Sequence, residues 1–408
     1  MAPLSGITVV TLEQAVSAPL CTRVLRDLGA RVIKVENPDG GDFTRHFDDV
    51  VGEGLSAHFV WANRGKESVT LNLKSAGGLA VLHRLLERAD VLVSNLTPGT
   101  TARLGLSPAD LAARYPDLLA VEIDGYGPGG PLSHKRAYDL LVMAESGACA
   151  VTGTAGSPAK PGPPVADVGT GLYAALSIVA VLFGRSRGQA ATSSIAVSMF
   201  DTMVDFMGYP LTYTQHTGVD QEPVGMGSPA VAPYGAYRTA DGQTVVLGTT
   251  NDREWLRLAE LIGRPDLAAD ERLRTGPGRI AHRALLDEAI GQWCAAHDLA
   301  TIQAAADAAG IGNARYNRPS EVVTHPHLTA RNRWRRVDTP VGPIHALLPP
   351  PVIAGYEPEM GAVPGLGEHT DAVLAELGFT TEEIGSLRAG GAVGAPYRPE
   401  IHSGGSHA

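Results

Sequence analysis

Short, apolar, β-branched segments alternate with helix-patterned ones through the first half of this chain, and that alternation limits the fold more than any other feature. Ile7–Leu12, Arg31–Val35, Val91–Ser94 and Leu118–Ile123 have the length and residue types of strands. Pro19–Leu28, Leu79–Arg88 and Pro108–Arg114 have helical spacing and fall between them. Alternation at these lengths predicts βαβ units and a mainly parallel, doubly wound α/β sheet. Strands with so little polar surface are expected to carry helices on both faces.

The second half reads differently. Asp139–Cys149 and Leu172–Phe183 are predicted as long, largely buried helices, and Thr192–Val197 as another strand. Ser198–Tyr209 begins a helix that Pro210 is expected to end or kink. A Gly- and Pro-rich stretch, Val219–Pro233, leads into two strand-like runs, Gly235–Ala240 and Thr244–Leu247, joined at Asp241-Gly242, a hairpin turn. Helical stretches follow near Trp255–Leu261 and His282–His297. At 408 residues the chain exceeds what one core usually serves. The expected division is residues 1–205 as the large domain, 206–330 as linker and small α+β domain, and 331–408 as a return to the large one. The Gly- and Ser-rich end of the tail, within 390–408, is expected to be mobile.

Composition removes several functions. A formal net charge of -10 argues against a general nucleic-acid or anionic-membrane binder. The three cysteines, Cys21, Cys149 and Cys294, form no C-x-x-C pair, so neither a disulfide framework nor a metal site is expected, and a reducing cytoplasm fits. The N-terminus shows no signal-peptide pattern. The longest apolar run, 171–183, is too short to span a bilayer and reads as a buried helix.

The turn after the first strand, Glu13-Gln14-Ala15-Val16-Ser17-Ala18-Pro19, has no glycine, so it is no G-x-G-x-x-G dinucleotide site; no P-loop is present either. Asn95-Leu96-Thr97-Pro98-Gly99 follows a strand, with Arg103 just beyond. That is where ligands bind in open α/β sheets, although a plain turn with a surface arginine has the same pattern. Lysines in Lys34-Val35-Glu36-Asn37 and Asn72-Leu73-Lys74 are either surface residues or a counter-charge for phosphate. Asp167, in Val165-Ala166-Asp167-Val168-Gly169-Thr170-Gly171, precedes a long apolar helix. It reads as an N-cap, or as a carboxylate nucleophile kept ionised by the helix start. His325-Pro326-His327 lacks further ligands nearby and reads as a loop.

Taken in order, these stretches resemble the family III CoA transferases, which include formyl-CoA transferase, carnitine CoA transferases and the related α-methylacyl-CoA racemases. The resemblance rests on Pro3-Leu4-Ser5-Gly6, Leu28-Gly29-Ala30-Arg31-Val32-Ile33-Lys34-Val35-Glu36, Asn63-Arg64-Gly65-Lys66, Asn72-Leu73-Lys74, Asn95 through Gly99 with Arg103, Gly125-Tyr126-Gly127-Pro128-Gly129-Gly130-Pro131, Ala137-Tyr138-Asp139-Leu140, and Ser320-Glu321-Val322 with His325-Pro326-His327 and Arg331. It implies a Rossmann-like large domain, a small α+β domain, and two chains threaded as interlocked rings.

It also implies roles. Asp167 matches the catalytic aspartate, expected to form an acyl mixed anhydride. Val16, Ser17, Asn37, Asn72, Leu73, Lys74, Asn95, Leu96, Arg103 and Arg136 fall at or beside positions that hold CoA, which is a substrate and not a resident cofactor. Gly225 and Gly227 lie where a glycine-rich loop closes over the site in formyl-CoA transferase. The rival from the same superfamily, a racemase, needs a histidine where Arg136 stands, with His134 two residues earlier, and a glutamate where Asn251 stands. Arg136 cannot act as a base near neutral pH. A rival of another class is a non-catalytic acyl-CoA binder, against which Asp167 itself speaks. Glu13-Gln14-Ala15-Val16-Ser17-Ala18-Pro19 and His58-Phe59-Val60-Trp61-Ala62-Asn63-Arg64 look most like the branch acting on dicarboxylates of four or five carbons. Arg45 and His46 are candidates to meet a second carboxylate, since a buried charge needs a partner.

Overall fold

The computed structural model describes residues 2–97, 99–190 and 192–395. Pro98 of the Asn95–Gly99 motif and the tail beyond 395 lie outside them. Two compact units are present. The larger comprises Met1–Ser146, Pro163–Phe206 and Leu328 onward, the smaller Gly147–Gly162 with Met207–His327. The expected boundaries near 205 and 330 fall close to these, but residues 147–162 group with the smaller unit.

The larger unit is built on a parallel sheet of six strands: β1 (Thr8–Leu12), β2 (Arg31–Glu36), β3 (Glu67–Thr70), β4 (Val91–Ser94), β5 (Leu119–Asp124) and β6 (Ser194–Ser198). Their spatial order is β3-β2-β1-β4-β5-β6. It reverses between β1 and β4, whose register pairs Val9 with Val91 and Leu12 with Ser94. Alternate residues feed two cores. On one face Val10, Ile33, Val69 and Leu92 pack with helices α3 (Ala76–Leu86) and α5 (Pro108–Arg114) and with Val373, Leu374 and Ile384 from the C-terminal return. On the other, Val9, Val32, Val91 and Val121 pack with α1 (Ser17–Asp27) and α7 (Val165–Ser186).

This places the β5–β6 crossover on the same face as the β1–β2 crossover although the two run in opposite directions along the sheet. The β4–β5 crossover, which runs the same way as β5–β6, uses the other face. The β5–β6 connection therefore has the opposite hand to its neighbours, a rare arrangement. Its consequence is that α7 lies beside α1. Gly171 permits the contact, since a Cβ there would sit 2.5 Å from the Ser17 carbonyl oxygen; Gly169 serves a different neighbour, a Cβ there lying 2.6 Å from the Phe206 ring.

Several expectations change. The helix at Asp139 spans only Asp139–Glu145 (α6), because Gly147 takes a left-handed conformation (φ +84°) and ends it. The apolar helix is longer than expected and starts at Val165. It is long and apolar enough to cross a membrane by length and composition, yet its Ala174, Ala175 and Ile178 are buried in the core. Pro210 starts a helix rather than ending one: Met199–Phe206 (α8) closes before it, and it occupies the first turn of Gly208–Thr217 (α9), where no N–H is required. In the smaller unit β7 (Tyr234–Arg238), β8 (Thr244–Gly248) and β9 (Gly312–Arg315) form an antiparallel sheet, with β8 in the centre. It packs on helices through Val245, Leu247, Trp255, Leu286 and Ile290.

Gly171→Ala is expected to force α1 and α7 apart at Ser17 and to lower stability by about 1–3 kcal/mol, the usual cost of overpacking. Urea unfolding checks this, with Gly385→Ala, whose Cβ meets nothing within 4 Å, as the control.

Candidate active site

In a parallel sheet the carboxyl ends of the strands lie at one edge, and ligands bind there near the reversal of strand order. The expected CoA residues distribute along this edge. Val16 and Ser17 follow β1, Asn37 follows β2, Asn72, Leu73 and Lys74 follow β3, and Asn95 and Leu96 follow β4. Asn37, Lys74, Arg103 and Arg136 are exposed; Val16 and Ser17 are buried at the start of α1.

At the strand-order reversal the two loops are tied together by one side chain. Asn95 Oδ1 accepts from Gln14 N at 2.9 Å, and Asn95 Nδ2 donates to Gln14 O at 2.7 Å. The amide thus continues the β1–β4 ladder by one rung beyond its last paired residues. Arg103, at the end of the short helix Thr100–Arg103 (α4), reaches back to Thr100 Oγ1 at 2.8 Å, leaving most of its fork for other partners. Asn72 donates to Gly391 O at 3.2 Å and accepts from Lys74 N at 3.1 Å, so its side chain shapes the turn after β3. Leu73 and Leu96 pack against the core.

Asp167 is the third residue of α7, not its cap; the N-cap is Pro164, which offers no side-chain acceptor. The cap comes from another helix. Asp139, first residue of α6, accepts from Ala166 N at 3.0 Å and from Asp167 N at 3.4 Å. These are amides that a helix start leaves unpaired. One turn further along α7 is Gly171, against Ser17. The Asp167 backbone is therefore fixed from one side by Asp139 and lies about 6 Å along the helix axis, four residues, from the Ser17 contact. The helix start favours an ionised carboxylate on that first turn. Nothing in the spacing of Asp139 and Asp167 reveals this cap; the nearest signal is Pro164 where a capping residue belongs.

Beneath the same edge, on the α1 face, lies a group of buried charges that spacing alone did not reveal. Glu13, Lys34, Glu36, Asp42, Arg45 and Lys66 are each at most 4% exposed. Lys66 Nζ contacts Glu13 Oε1 at 2.6 Å, and Lys34 Nζ contacts Asp42 Oδ2 at 2.8 Å. Lys34 is thus internal and cannot serve as a counter-charge for phosphate. Arg45 is corrected too. Its Nε and Nη2 hold both oxygens of Glu36 at 2.9 and 2.8 Å, its Nη1 and Nη2 meet Pro364 O, and its plane stacks on Phe59. A guanidinium so occupied has no fork to offer a second carboxylate. His46, exposed, bonds the Gly40 carbonyl at 3.0 Å.

Burial alone would raise the carboxyls of Glu13 and Glu36. Lys66 and Lys34 outweigh it at Glu13, and Arg45 at Glu36, holding each down to about 2. At Lys66 burial prevails over Glu13 and pulls the ammonium down to about 8. Lys34, also buried, faces Asp42, Glu13 and Glu36 together, and they raise it.

In the smaller unit Gly225 and Gly227 sit in a tied turn. Gly225 N donates to Gly153 O at 2.6 Å and Gly227 N to Val224 O at 3.1 Å. Asn251 caps the helix Asp252–Leu261 by accepting from Glu254 N at 3.0 Å. Among the described residues no group of His, Cys, Asp or Glu could hold a metal ion.

Comparison with known proteins now decides the family, since the model of CoA-transferase family III matches residues 4–370. The chain belongs to CoA-transferase family III. It is a CoA transferase, moving CoA between carboxylic acids. It is 34% identical to acetyl-CoA:oxalate CoA-transferase of Acetobacter aceti, over 92% of this chain and 96% of that one. It is 32% identical to succinate–glutarate CoA-transferase of Agrobacterium fabrum, over 92% and 96%. The crystal structure of a CAIB/BAIF family protein from Brucella suis superposes with a TM-score of 0.79 at 31% identity, covering 92% of this chain and 99% of that one.

Two outcomes are expected. Asp139→Ala should lower kcat more than Asp139→Asn, which keeps an oxygen for the Ala166 and Asp167 amides; losing the cap costs about 0.5–2 kcal/mol of local stability. Steady-state kinetics on the pair checks it. Glu13 and Glu36 bind protons less readily folded than unfolded, so the stability they contribute is full above their usual value of 4.5 and drains as pH falls toward 2. Urea midpoints measured between pH 6 and pH 3 should fall, and fall less in Glu13→Gln/Lys66→Met.

Proposed function

We propose that CoA is moved through acyl derivatives of Asp167, and that the acids exchanged are dicarboxylates of four or five carbons. The carrying observation is that Asp167 lies on the first turn of α7, with its backbone amide held by Asp139 and its helix seated on Ser17. A carboxylate oxygen of Asp167 attacks the donor thioester carbon. The C–S bond breaks, the CoA thiolate leaves with its electron pair, and a mixed anhydride remains. The thiolate attacks the Asp167 carboxyl carbon and expels the donor acid as carboxylate, leaving an aspartyl-CoA thioester. The acceptor carboxylate then attacks that carbon, releasing thiolate and forming a second anhydride. Attack of thiolate on the acceptor's acyl carbon yields the new thioester and restores Asp167. Each step exchanges one carboxylate or thiolate for another, so no proton need be gained or lost overall.

The substrate class rests on the succinate–glutarate relative. The acetyl-CoA:oxalate relative defines the competing two-carbon dicarboxylate. Asn251 as a helix cap, and an arginine at 136, speak against a racemase.

The reading includes a homodimer of interlocked rings. Leu172, Leu176 and Phe183 on α7, with Phe206, are exposed in the single chain, 64% for Leu176 and 66% for Phe183, an apolar band of the kind that a second copy covers. Cytoplasmic residence is part of it, supported by three free cysteines.

Hydroxylamine added with succinyl-CoA should convert Asp167 to a hydroxamate detectable by mass spectrometry, and Asp167→Ala should lose turnover by several orders of magnitude. Normal turnover in that variant would sink the covalent route. A panel of acids from oxalate to glutarate should show highest kcat/KM at four or five carbons; a preference for oxalate would remove the substrate assignment alone.

A further inference from the structure

The buried charges under β1–β3 converge on one short piece of backbone. Lys34 Nζ donates to Glu13 O at 3.3 Å as well as to its carboxylate. Asp42 Oδ1 accepts from Ala15 N at 3.3 Å while holding Thr44 N at 3.0 Å and Thr44 Oγ1 at 2.8 Å. Glu13 Oε2 takes Thr11 Oγ1 at 2.8 Å from β1 and Thr22 Oγ1 at 2.7 Å from α1. Lys66 Nζ adds the Pro19 carbonyl at 2.9 Å and Asn63 Oδ1 at 2.9 Å. Between these anchors Ala15 adopts φ +64°, a left-handed conformation that an alanine takes only under constraint. Gln14 is held on its other side by Asn95. Residues 13, 14 and 15 are therefore each fixed by a polar contact from outside the turn, and the next two residues are Val16 and Ser17.

A balanced set of buried ions is a poor source of stability, because apolar residues of equal volume do as well or better. Such a set is well suited to holding a backbone in one strained shape, since each charge accepts only a narrow arrangement of partners. We propose that the Glu13–Lys66–Lys34–Asp42 cluster is a positioning device for the Gln14–Ser17 turn, and that through this turn it sets the affinity for coenzyme A. These residues touch no substrate themselves. The proposal rests on the reading that Val16 and Ser17 contact CoA.

The test compares wild type with Glu13→Gln/Lys66→Met, which removes one positive and one negative charge together and leaves Lys34, Asp42, Glu36 and Arg45 balanced. Coenzyme A binding is measured by calorimetry, kcat at saturating substrate, and amide exchange by mass spectrometry on the full-length protein. The Kd for coenzyme A should rise about tenfold or more, equivalent to about 1.4 kcal/mol, while kcat at saturation changes far less. Exchange should quicken in the peptide covering 13–18 and nowhere else. Unchanged Kd in a folded double variant overturns the proposal. If the double variant does not fold, Asp42→Asn, which keeps an acceptor for Ala15 N and weakens the hold on Lys34, should raise Kd in the same direction, and no rise overturns the proposal. Ser17→Val and Arg103→Ala separate the two readings. If they leave Kd unchanged, the placement of CoA is wrong; if they weaken binding and the cluster variants do not, only the positioning device falls.

Discussion

Six ionised side chains can be buried in one place only if each finds its partners, and the larger unit is organised around that requirement. Glu13 comes from the turn after β1, Lys34 and Glu36 from β2, Asp42 and Arg45 from the turn beyond it, and Lys66 from just before β3. An isolated ion left in such a site costs several kcal/mol. The first three strands, the start of α1 and the 37–46 turn are therefore coupled: displacing one strands a charge on another. Ser68 joins the set by donating to Glu36 Oε1 at 2.6 Å, and Gly367 of the C-terminal return donates to Ser68 Oγ at 2.9 Å. In this way residues about 300 apart in sequence are tied to the same cluster.

The second organising feature is the hand of the β5–β6 crossover. Had α7 followed the other face of the sheet, with α3 and α5, Asp167 would have emerged on the far side from Ser17. Passing over the α1 face instead brings the second turn of α7, one turn beyond Asp167, against the first turn of α1. The glycine at 171 reduces the separation to backbone contact. The Asp167 carboxylate on one helix start and the Val16–Ser17 turn at the start of the other thus share the strands' carboxyl edge, as the proposed attack on a bound thioester requires.

Much of this was legible in the sequence and some was not, for reasons that particular residues show. β4 was bounded correctly because all its residues are buried and three of the four are apolar. β3, Glu67–Thr70, was not recognised as a strand, since Glu67 and Ser68 are polar; Ser68 is polar because it serves Glu36, not because it faces water. Lys34 looked like a surface lysine at a strand end for the same reason. Asp167 looks like a cap in sequence, whereas the cap is Asp139, 28 residues earlier. Single-chain patterning cannot reveal a cap supplied by another helix. The motifs that made the family recognisable, Lys34-Val35-Glu36 and Asn63-Arg64-Gly65-Lys66, consist largely of buried ion-pair partners. Arg64, which pairs with Asp27, belongs with them.

The engagement of Arg45 bears on how a second carboxylate would be recognised. A dicarboxylate brought into a closed site needs either a cation or several neutral donors at its far end. In the larger unit Arg45, Lys34 and Lys66 are all neutralised internally, and Arg26, Arg31 and Arg64 are paired with Glu359, Glu67 and Asp27. Arg103, Arg136 and Lys74 are exposed, and the family resemblance gives them to coenzyme A. Where no cation is at hand, selection for chain length falls to neutral donors, backbone amides and hydroxyls. Such donors discriminate by distance more sharply than a flexible arginine does, because a carboxylate one methylene too short cannot reach them and leaves them unpaired. A site of that kind separates four- and five-carbon acids from oxalate by geometry and not by charge, since all of them are dianions at neutral pH.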